Sequence, residues 1–244
     1  MSPTDHWLLQ RQEPARRGID GGTIVETAHT LVHESGLNAL SMRILASELG
    51  TSTSALYRHV PSKQWLLVAV ADHVLGELTT DPAGHGGADA RERLDRLSSA
   101  YRDVLVAHPH LHEVLTSNVV LTPNTVRIAA TALRCLHDLG LEGDELVDAY
   151  NAWCGYVVGF TILETKPAER EPAVDLQIAM RTQLDAAFES NPILAELPEG
   201  SAANIYGLRW RQATLGGSEG SFDYGLKIVI EGLMDRARRG RTNA

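Results

Sequence analysis

The sequence has few of the features that mark secreted, membrane-embedded or disulfide-stabilised proteins. Only two cysteines, Cys135 and Cys154, occur in 244 residues, and both lie in apolar helical contexts. They are better explained as buried reduced thiols than as a disulfide framework, which favours a cytoplasmic protein. The N-terminus has no apolar signal-peptide core, and apolar runs such as residues 65–71 are too short to span a bilayer. We therefore expect neither export nor membrane association.

Positive charge is also scarce. The chain has 22 Lys and Arg against 31 Asp and Glu, a formal net charge of -9. A protein that coats nucleic acid through bulk charge needs the opposite balance. Residues 11–63 differ from the rest, because six Lys or Arg there nearly balance five acidic residues. Any DNA contact in this segment must therefore depend on particular side chains.

Signals for catalysis and for β-structure are missing as well. No glycine-rich phosphate loop follows a strand pattern, and no nucleophile elbow is present. Cys154 lies in a predicted buried helix, which is a poor place for a reactive thiolate. No segment alternates apolar and polar residues as a half-buried strand does. We expect an all-α protein that is not an enzyme and that has no cofactor.

Helical periodicity runs through most of the chain. A first helix is expected to start at a capping-box pair, Thr23 and Glu26, and to end at Gly36. Two short helices follow, over residues 41–49 and 51–60, and Gly50 between them is expected to have a positive φ. Such a pair predicts a helix-turn-helix. Further helices are predicted from residue 62 to 78 and over residues 89–107, 110–118, 123–139, 143–164, 173–189 and 223–239.

The pattern predicts an arm and two domains. Residues 1–20 form an N-terminal arm, which is either disordered or inserts Arg16 and Arg17 into a minor groove. Residues 21–65 form a helix-turn-helix DNA-binding domain, and residues 66–244 form a larger helical domain for effector binding and dimerisation. The helix capped by Ser62 is apolar on more than one side, so we expect it to lie between the two domains. Residues 79–88, with Pro82 and three glycines, are the predicted linker.

The residues around Gly50 resemble a known family. Residues 41–46, SMRILA, and the pattern Leu56-Tyr57-x-His59-x-x-x-Lys63 resemble the signature of the tetracycline-repressor family of bacterial transcriptional regulators. A weaker resemblance to the C-terminal domain of the tetracycline repressor covers residues 159–164 and 225–233. The resemblance implies a homodimeric repressor that binds double-stranded operator DNA and is released by a small molecule.

The resemblance also assigns DNA contacts by position. Arg43 would bind a guanine, a contact that contributes about 1 to 3 kcal/mol of discrimination; the alternative is an ordinary surface arginine. Tyr57 would meet a base edge or be half core, and Lys63 would bind a phosphate. Met42 and Ala55 lack the hydroxyls that the tetracycline repressor has at these positions. The predicted DNA-binding residues are Arg43, Ser52, Thr53, Ser54, Tyr57, Arg58, His59 and Lys63.

A recognition helix of about two turns gives little specificity alone, so two copies should bind the half-sites of a pseudo-palindrome. Apolar stripes on the helices near residues 150 and 230 provide the expected interface, unless they bury only against their own chain. The predicted interface residues are Val147, Tyr150, Cys154, Val158, Leu226, Val229, Ile230, Leu233 and Met234.

The resemblance implies an effector cavity among the middle helices, with mostly apolar walls and a few polar tips. His108 and Glu164 align with two drug-site positions of the tetracycline repressor, which binds its drug with magnesium. Thr79 replaces a drug-contacting histidine, so we expect a different organic effector and no required metal. The predicted wall residues, each also typical of a core, are Tyr101, Val104, His108, Leu111, Leu115, Leu133, Trp153, Tyr156, Val157 and Phe160.

The sequence also offers two alternative interpretations, a local metal site and a function without DNA binding. Residues 108–113, HPHLHE, offer three imidazoles and a carboxylate. On a helix His110 and His112 would point about 200° apart, and Pro109 interrupts the helix, so a tetrahedral metal site does not close locally. The alternative function is a dimeric helical small-molecule or metal-binding protein that has lost operator binding.

Overall fold

A computed structural model of the chain describes residues 20–78, 89–117, 121–165, 182–183, 186, 190 and 219–242. The described residues contain no strand, which confirms the all-α prediction. The arm before residue 20, the linker at 79–88, most of the helix predicted at 173–189 and the effector-domain segment 191–218 lie outside them. The helices are α1 (Gly21–Ser35), α2 (Met42–Glu48), α3 (Thr53–Leu56), α4 (Lys63–Leu75), α5 (Ala90–Ala107), α6 (Leu111–Ser117), α7 (Pro123–Asp138), α8 (Gly143–Thr165) and α9 (Glu219–Thr242).

The start of α1 differs from the prediction. Asp20 is the N-cap, and its carboxylate accepts hydrogen bonds from the Thr23 amide at 2.9 Å and from the Thr23 hydroxyl at 3.0 Å. These hydrogen bonds hold the pKa of Asp20 below its usual value. The capping box of Thr23 and Glu26 is therefore wrong, because Thr23 donates to the cap and lies inside the helix.

Serine caps organise the helix-turn-helix. Ser41 caps α2 and Ser52 caps α3, each by accepting a backbone amide at 3.2 Å. Gly50, in the turn between them, has the expected positive φ of 61°. The helix α3 is only one turn long and continues as a hydrogen-bonded turn to His59. Leu56, at 1% exposed, anchors it to the core formed with α1 and α2.

The helix α4 joins two hydrophobic cores. Ser62 caps it by accepting the Trp65 amide at 3.1 Å, as predicted. Leu66 and Val70 pack in the first core, with α1 to α3, whereas Val74 packs in the second core, with α5 to α9. We call the unit of α1 to α3 the head and the unit of α5 to α9 the body. The boundary predicted after residue 65 falls in the first turn of this shared helix.

The far end of α4 is held by the start of α7. The Asn124 amide donates to the carboxylate of buried Asp72 at 2.8 Å. The Arg127 guanidinium donates to the carbonyl oxygens of Leu78 and Leu75 at 2.9 and 3.2 Å. A displacement of α7 would therefore be transmitted to α4, and through α4 to the head.

Candidate functional site

The predicted DNA-binding residues surround α3 on the outside of the head. Ser54, Arg58 and His59 are exposed, and Tyr57 is 52% exposed, so about half of the Tyr57 side chain can meet an external partner. Arg43 is exposed on α2. No ion pair among the residues that the structure describes engages Arg43 or Arg58, so both guanidinium groups are available for an external partner.

Three residues of the head lie differently from the expectation. Met42 is buried in the first core and is unavailable for a DNA contact. Ile44 is 39% exposed beside Arg43, although an apolar residue within a helical pattern is typically buried. The Lys63 ammonium donates to the Leu37 carbonyl at 3.1 Å, which leaves two of its three donors. Its phosphate contact remains a prediction.

The outer surfaces of α8 and α9 are apolar. Val147 on α8 is 53% exposed, and Tyr224 and Ile228 on α9 are 69% and 54% exposed. Leu226 and Ile230, both predicted at the dimer interface, are only 3% and 0% exposed in the single chain. Their assignment is corrected here, because this stripe of α9 packs in the core of its own chain. The remaining predicted interface residues are half-buried or exposed: Val147, Tyr150, Cys154, Val158, Val229, Leu233 and Met234.

A close contact holds α8 to α9. The Tyr156 hydroxyl donates to the Phe222 carbonyl at 2.7 Å. A Cβ at Gly225 would lie 2.8 Å from Cζ of Tyr156 and still closer to its hydroxyl, so Tyr156 requires glycine at this position. Burial raises the pKa of Tyr156. Tyr156 and Gly225 therefore contribute to the relative position of the two outer helices, together with the Arg236–Glu145 ion pair and the shared core.

The predicted wall residues fall into separate groups in the body. Trp153 is fully buried, donates to Ser98 Oγ at 2.7 Å and stacks on Tyr101 at 6.2 Å between ring centroids. Tyr156 and Phe160 pack against Phe222, with ring centroids 5.4 to 5.8 Å apart. The first group is buried in the core, whereas Tyr156 and Phe160 of the second group are only partly buried. Four other predicted wall residues lie in or against the second core: Val104, Leu111, Leu115 and Val157. Leu133 on α7 is partly buried.

An ion pair that the sequence analysis missed lies beside the second aromatic group. Arg102 on α5 forms a bidentate contact with Glu164 on α8, with Nε 2.9 Å from Oε2. The guanidinium carbon lies 5.2 Å from the centre of the Phe222 ring. Glu164, aligned with a drug-site position, is therefore neutralised within its own chain. The two partners are 62 residues apart, so no local pattern reveals the pair.

His108 does not lie with the other predicted wall residues. It belongs to the histidine cluster, which we define as His29 and His33 of α1, His73 of α4, and His108 and His110 of the turn before α6. Ring centroids of His29 lie 5.3 to 6.4 Å from the other four. Burial lowers the pKa of His29, and burial and neighbouring imidazoles lower that of His110 to about 4. Both rings are therefore neutral at pH 7.

His29 and His33, four residues apart in the first helix, were not among the predicted site residues. That spacing places both on one helix face and was the available signal. His112 points elsewhere, since its Nε2 lies 3.0 Å from the Thr161 hydroxyl and its Nδ1 lies 3.3 Å from the Thr165 hydroxyl. His112 therefore does not join His108 and His110, whereas His29 and His33 of α1 lie beside His108.

One described helix, α8, is long and apolar enough to pass a test for membrane spans by length and composition, with a mean hydropathy of 1.2. A core helix passes the same test. Here α8 packs on α5, α7 and α9 and also presents an apolar outer surface. Its composition is explained by these two apolar faces.

Two family models cover most of the chain. Residues 24–70 match the model described as bacterial regulatory proteins, tetR family. Residues 83–237 match the model described as tetracyclin repressor-like, C-terminal domain. The first match covers the head and the start of α4, and the second covers most of the body.

Similar proteins and structures agree with the family matches. The transcriptional repressor DrrR1 of Streptomyces coeruleorubidus is 31% identical over 90% of this chain and 79% of its own length. The class A tetracycline repressor of transposon 1721, from Escherichia coli, is 28% identical over 83% of this chain and 96% of its own. The crystal structure of apo ActR from Streptomyces coelicolor has a TM-score of 0.70 and 27% identity, covering 93% and 100% of the two chains. ActR has also been solved in complex with actinorhodin.

Proposed function

Since the chain belongs to the tetracycline-repressor family of bacterial transcriptional regulators, we propose that it is a repressor whose homodimer binds a pseudo-palindromic operator and leaves it when a small organic molecule binds the body. The observation that carries the proposal is the exposed polar surface around α3, with the unpaired Arg43 beside it. The proposal includes no catalytic step and places the protein in the cytoplasm.

DNA recognition in this proposal depends on few contacts. The head is nearly neutral, so phosphate attraction is modest and Arg43 and Tyr57 must supply discrimination at base edges. Two heads must also match half-sites one helical turn apart, about 34 to 36 Å. Because each head is joined to the body by α4, the dimer surface of α8 and α9 sets that spacing.

Release by an effector follows from the same connection. A molecule that displaces α7 would act on Asn124 and Arg127, which hold the end of α4. A tilt of α4 would then change the separation of the two heads. The effector must prefer the released state by a few kcal/mol to shift the population strongly.

An organic effector is proposed because ActR, a similar protein, was solved in complex with actinorhodin. In this chain the group of Tyr156, Phe160 and Phe222 is the favoured contact, since Tyr156 and Phe160 are partly buried aromatic side chains that pack on the buried Phe222. A planar aromatic molecule would stack there without a metal.

The test is a salt-dependent gel shift with the DNA upstream of the gene. Arg43→Ala should weaken binding by about 1 to 3 kcal/mol, or about 5- to 150-fold. Arg134→Ala is the matched control, because Arg134 is an exposed arginine on α7 of the body. Equal affinities for Arg43→Ala and the unaltered protein, or no shift at any salt concentration, would refute the proposal.

A further inference from the structure

The histidine cluster lies at the junction of head and body and has no role in the proposed function. Its members come from three places in the chain: α1 of the head, α4, and the turn between α5 and α6 of the body. Histidine is the commonest protein ligand for transition metals. Five imidazoles at one junction therefore call for a specific explanation.

Three of these side chains are already close to a ligand geometry. Potential ligand atoms of His29, His33 and His108 all lie within 4.8 Å of one another. Around a tetrahedral zinc ion, with Zn–N about 2.0 to 2.1 Å, ligand atoms lie about 3.4 Å apart. Side-chain shifts on the order of 1 Å would bring the three ligand atoms to the separation that a tetrahedral zinc ion requires.

Unsatisfied nitrogens point to a missing partner. Nε2 of His29, Nδ1 of His108 and Nε2 of His110 are buried and have no hydrogen-bond partner among the residues that the structure describes. Buried polar atoms without a partner are costly and uncommon in native proteins. A cation bound between His29 and His108 would provide the missing partner for their two nitrogens, and the nearby His110 offers a third.

The surroundings of His108 also suit a ligand. Oε2 of Glu77 lies 3.5 Å from Nε2 of His108. A carboxylate on one ring nitrogen fixes the tautomer and leaves the other nitrogen for a metal, as is common around histidine ligands. Here the nitrogen that remains is Nδ1, the buried one. His33 is exposed, which provides a path for the ion from solvent.

We propose that each chain binds one transition-metal ion through His29, His33 and His108, with His110 as the fourth ligand and Glu77 as the positioning carboxylate. An all-imidazole set favours Zn²⁺, Ni²⁺, Co²⁺ or Cu²⁺ over Mg²⁺ or Ca²⁺, which prefer oxygen. The site is separate from the proposed organic effector site. The ion would connect α1 to the turn before α6, across the same junction that α4 spans.

Binding is tested on the full chain, stripped with chelator, by titration with Co²⁺ and measurement of visible absorption. We expect the intense bands of tetrahedral cobalt at one ion per chain, abolished by added Zn²⁺. His33→Ala should weaken binding at least about 100-fold, because the loss of an outer-shell partner alone typically costs about 10- to 100-fold. His33 is exposed, so this variant should fold, and circular dichroism checks it. His108→Ala should have the same effect.

His112→Ala is the matched control. His112 lies two residues from His110 but hydrogen-bonds Thr161 of α8, so its loss should leave the cobalt spectrum unchanged. Absence of tetrahedral cobalt bands in the unaltered protein would overturn the inference. A spectrum that survives in His33→Ala, or that disappears equally in His112→Ala, would also overturn it. These measurements use neither DNA nor effector, so they are independent of the proposed function.

The regulatory consequence rests on the proposed function and has its own test. If the ion fixes the head against the body, operator affinity should change at least about 5-fold on addition of Zn²⁺. His33→Ala should bind the operator without this response, since His33 lies outside the predicted DNA surface. The same affinity with and without Zn²⁺ in the unaltered protein would overturn the regulatory part, while an absent gel shift would refute the proposed function instead.

Discussion

The two exposed surfaces of this chain are built in opposite ways. The head presents polar side chains, such as Ser54, Tyr57 and Arg58, above one buried anchor, Leu56. The body presents apolar ones, such as Tyr224 and Ile228, on helices whose opposite faces are also apolar. Polar donors suit base edges and phosphates, whereas an apolar surface suits a second copy of the chain. The contrast supports the proposal that the head binds DNA and that the outer body forms the dimer contact.

The largest expected effect comes from removing the anchor under the polar surface. Leu56→Ala leaves a cavity beneath α3 and should lower the free energy of unfolding of the head by about 2 to 5 kcal/mol. Thermal unfolding followed by circular dichroism measures it. Ser54→Ala, on the exposed side of the same helix, should change stability by no more than about 0.5 kcal/mol. Equal losses of unfolding free energy in the two variants would show that Leu56 does not anchor α3 to the core.

The outer body is tested by adding charge to its apolar surface. Ile228→Glu would bury a carboxylate in the dimer contact, which should raise the dimer dissociation constant at least about 30-fold, or about 2 kcal/mol. Sedimentation velocity over a range of concentrations measures the change. Lys227→Glu, one residue away, is the control and should remain dimeric. A dimer unaffected by Ile228→Glu would place the interface elsewhere.

The contact that positions α9 on α8 should have a smaller effect. Gly225→Ala forces Tyr156 from its place and should destabilise the body by about 1 to 3 kcal/mol, as overpacking does. Gly220→Ala is the control, because nothing lies within 4 Å of a Cβ there. Chemical denaturation compares the two variants. Equal stability of Gly225→Ala and Gly220→Ala would show that the Tyr156 contact does not require glycine at position 225.

The smallest expected effect concerns Lys63, at the edge of the polar surface. Lys63→Gln should weaken binding to all DNA sequences alike and reduce the slope of log affinity against log salt by about one. Operator and unrelated duplexes, titrated at several salt concentrations, provide the measurement. An unchanged slope would mean that Lys63 serves only to bind the Leu37 carbonyl.

Local features of the fold were predictable from sequence because their causes are local. The caps Ser41, Ser52 and Ser62 and the positive φ of Gly50 each depend on a few neighbouring residues. Even here the predicted cap was wrong, because Asp20 accepts the Thr23 amide and Thr23 therefore lies inside the helix.

Contacts between distant helices were not predictable in the same way. The helix α9 has apolar residues on two sides, so hydrophobic periodicity alone does not predict that Ile230 is buried and Ile228 is exposed. The Arg102–Glu164 pair and the histidine cluster join residues that are far apart in the chain. Only the packing of the helices brings them together. The predicted residues of the effector site and the domain boundaries remain predictions for the same reason.

The most direct test of the central claim is the stoichiometry of the complex with upstream DNA, measured by native mass spectrometry. The account predicts two chains on each operator duplex, with both lost together when Ile228→Glu separates the dimer. A complex with one chain per operator, or an Ile228→Glu monomer that binds the operator as tightly as the unaltered protein, would contradict it.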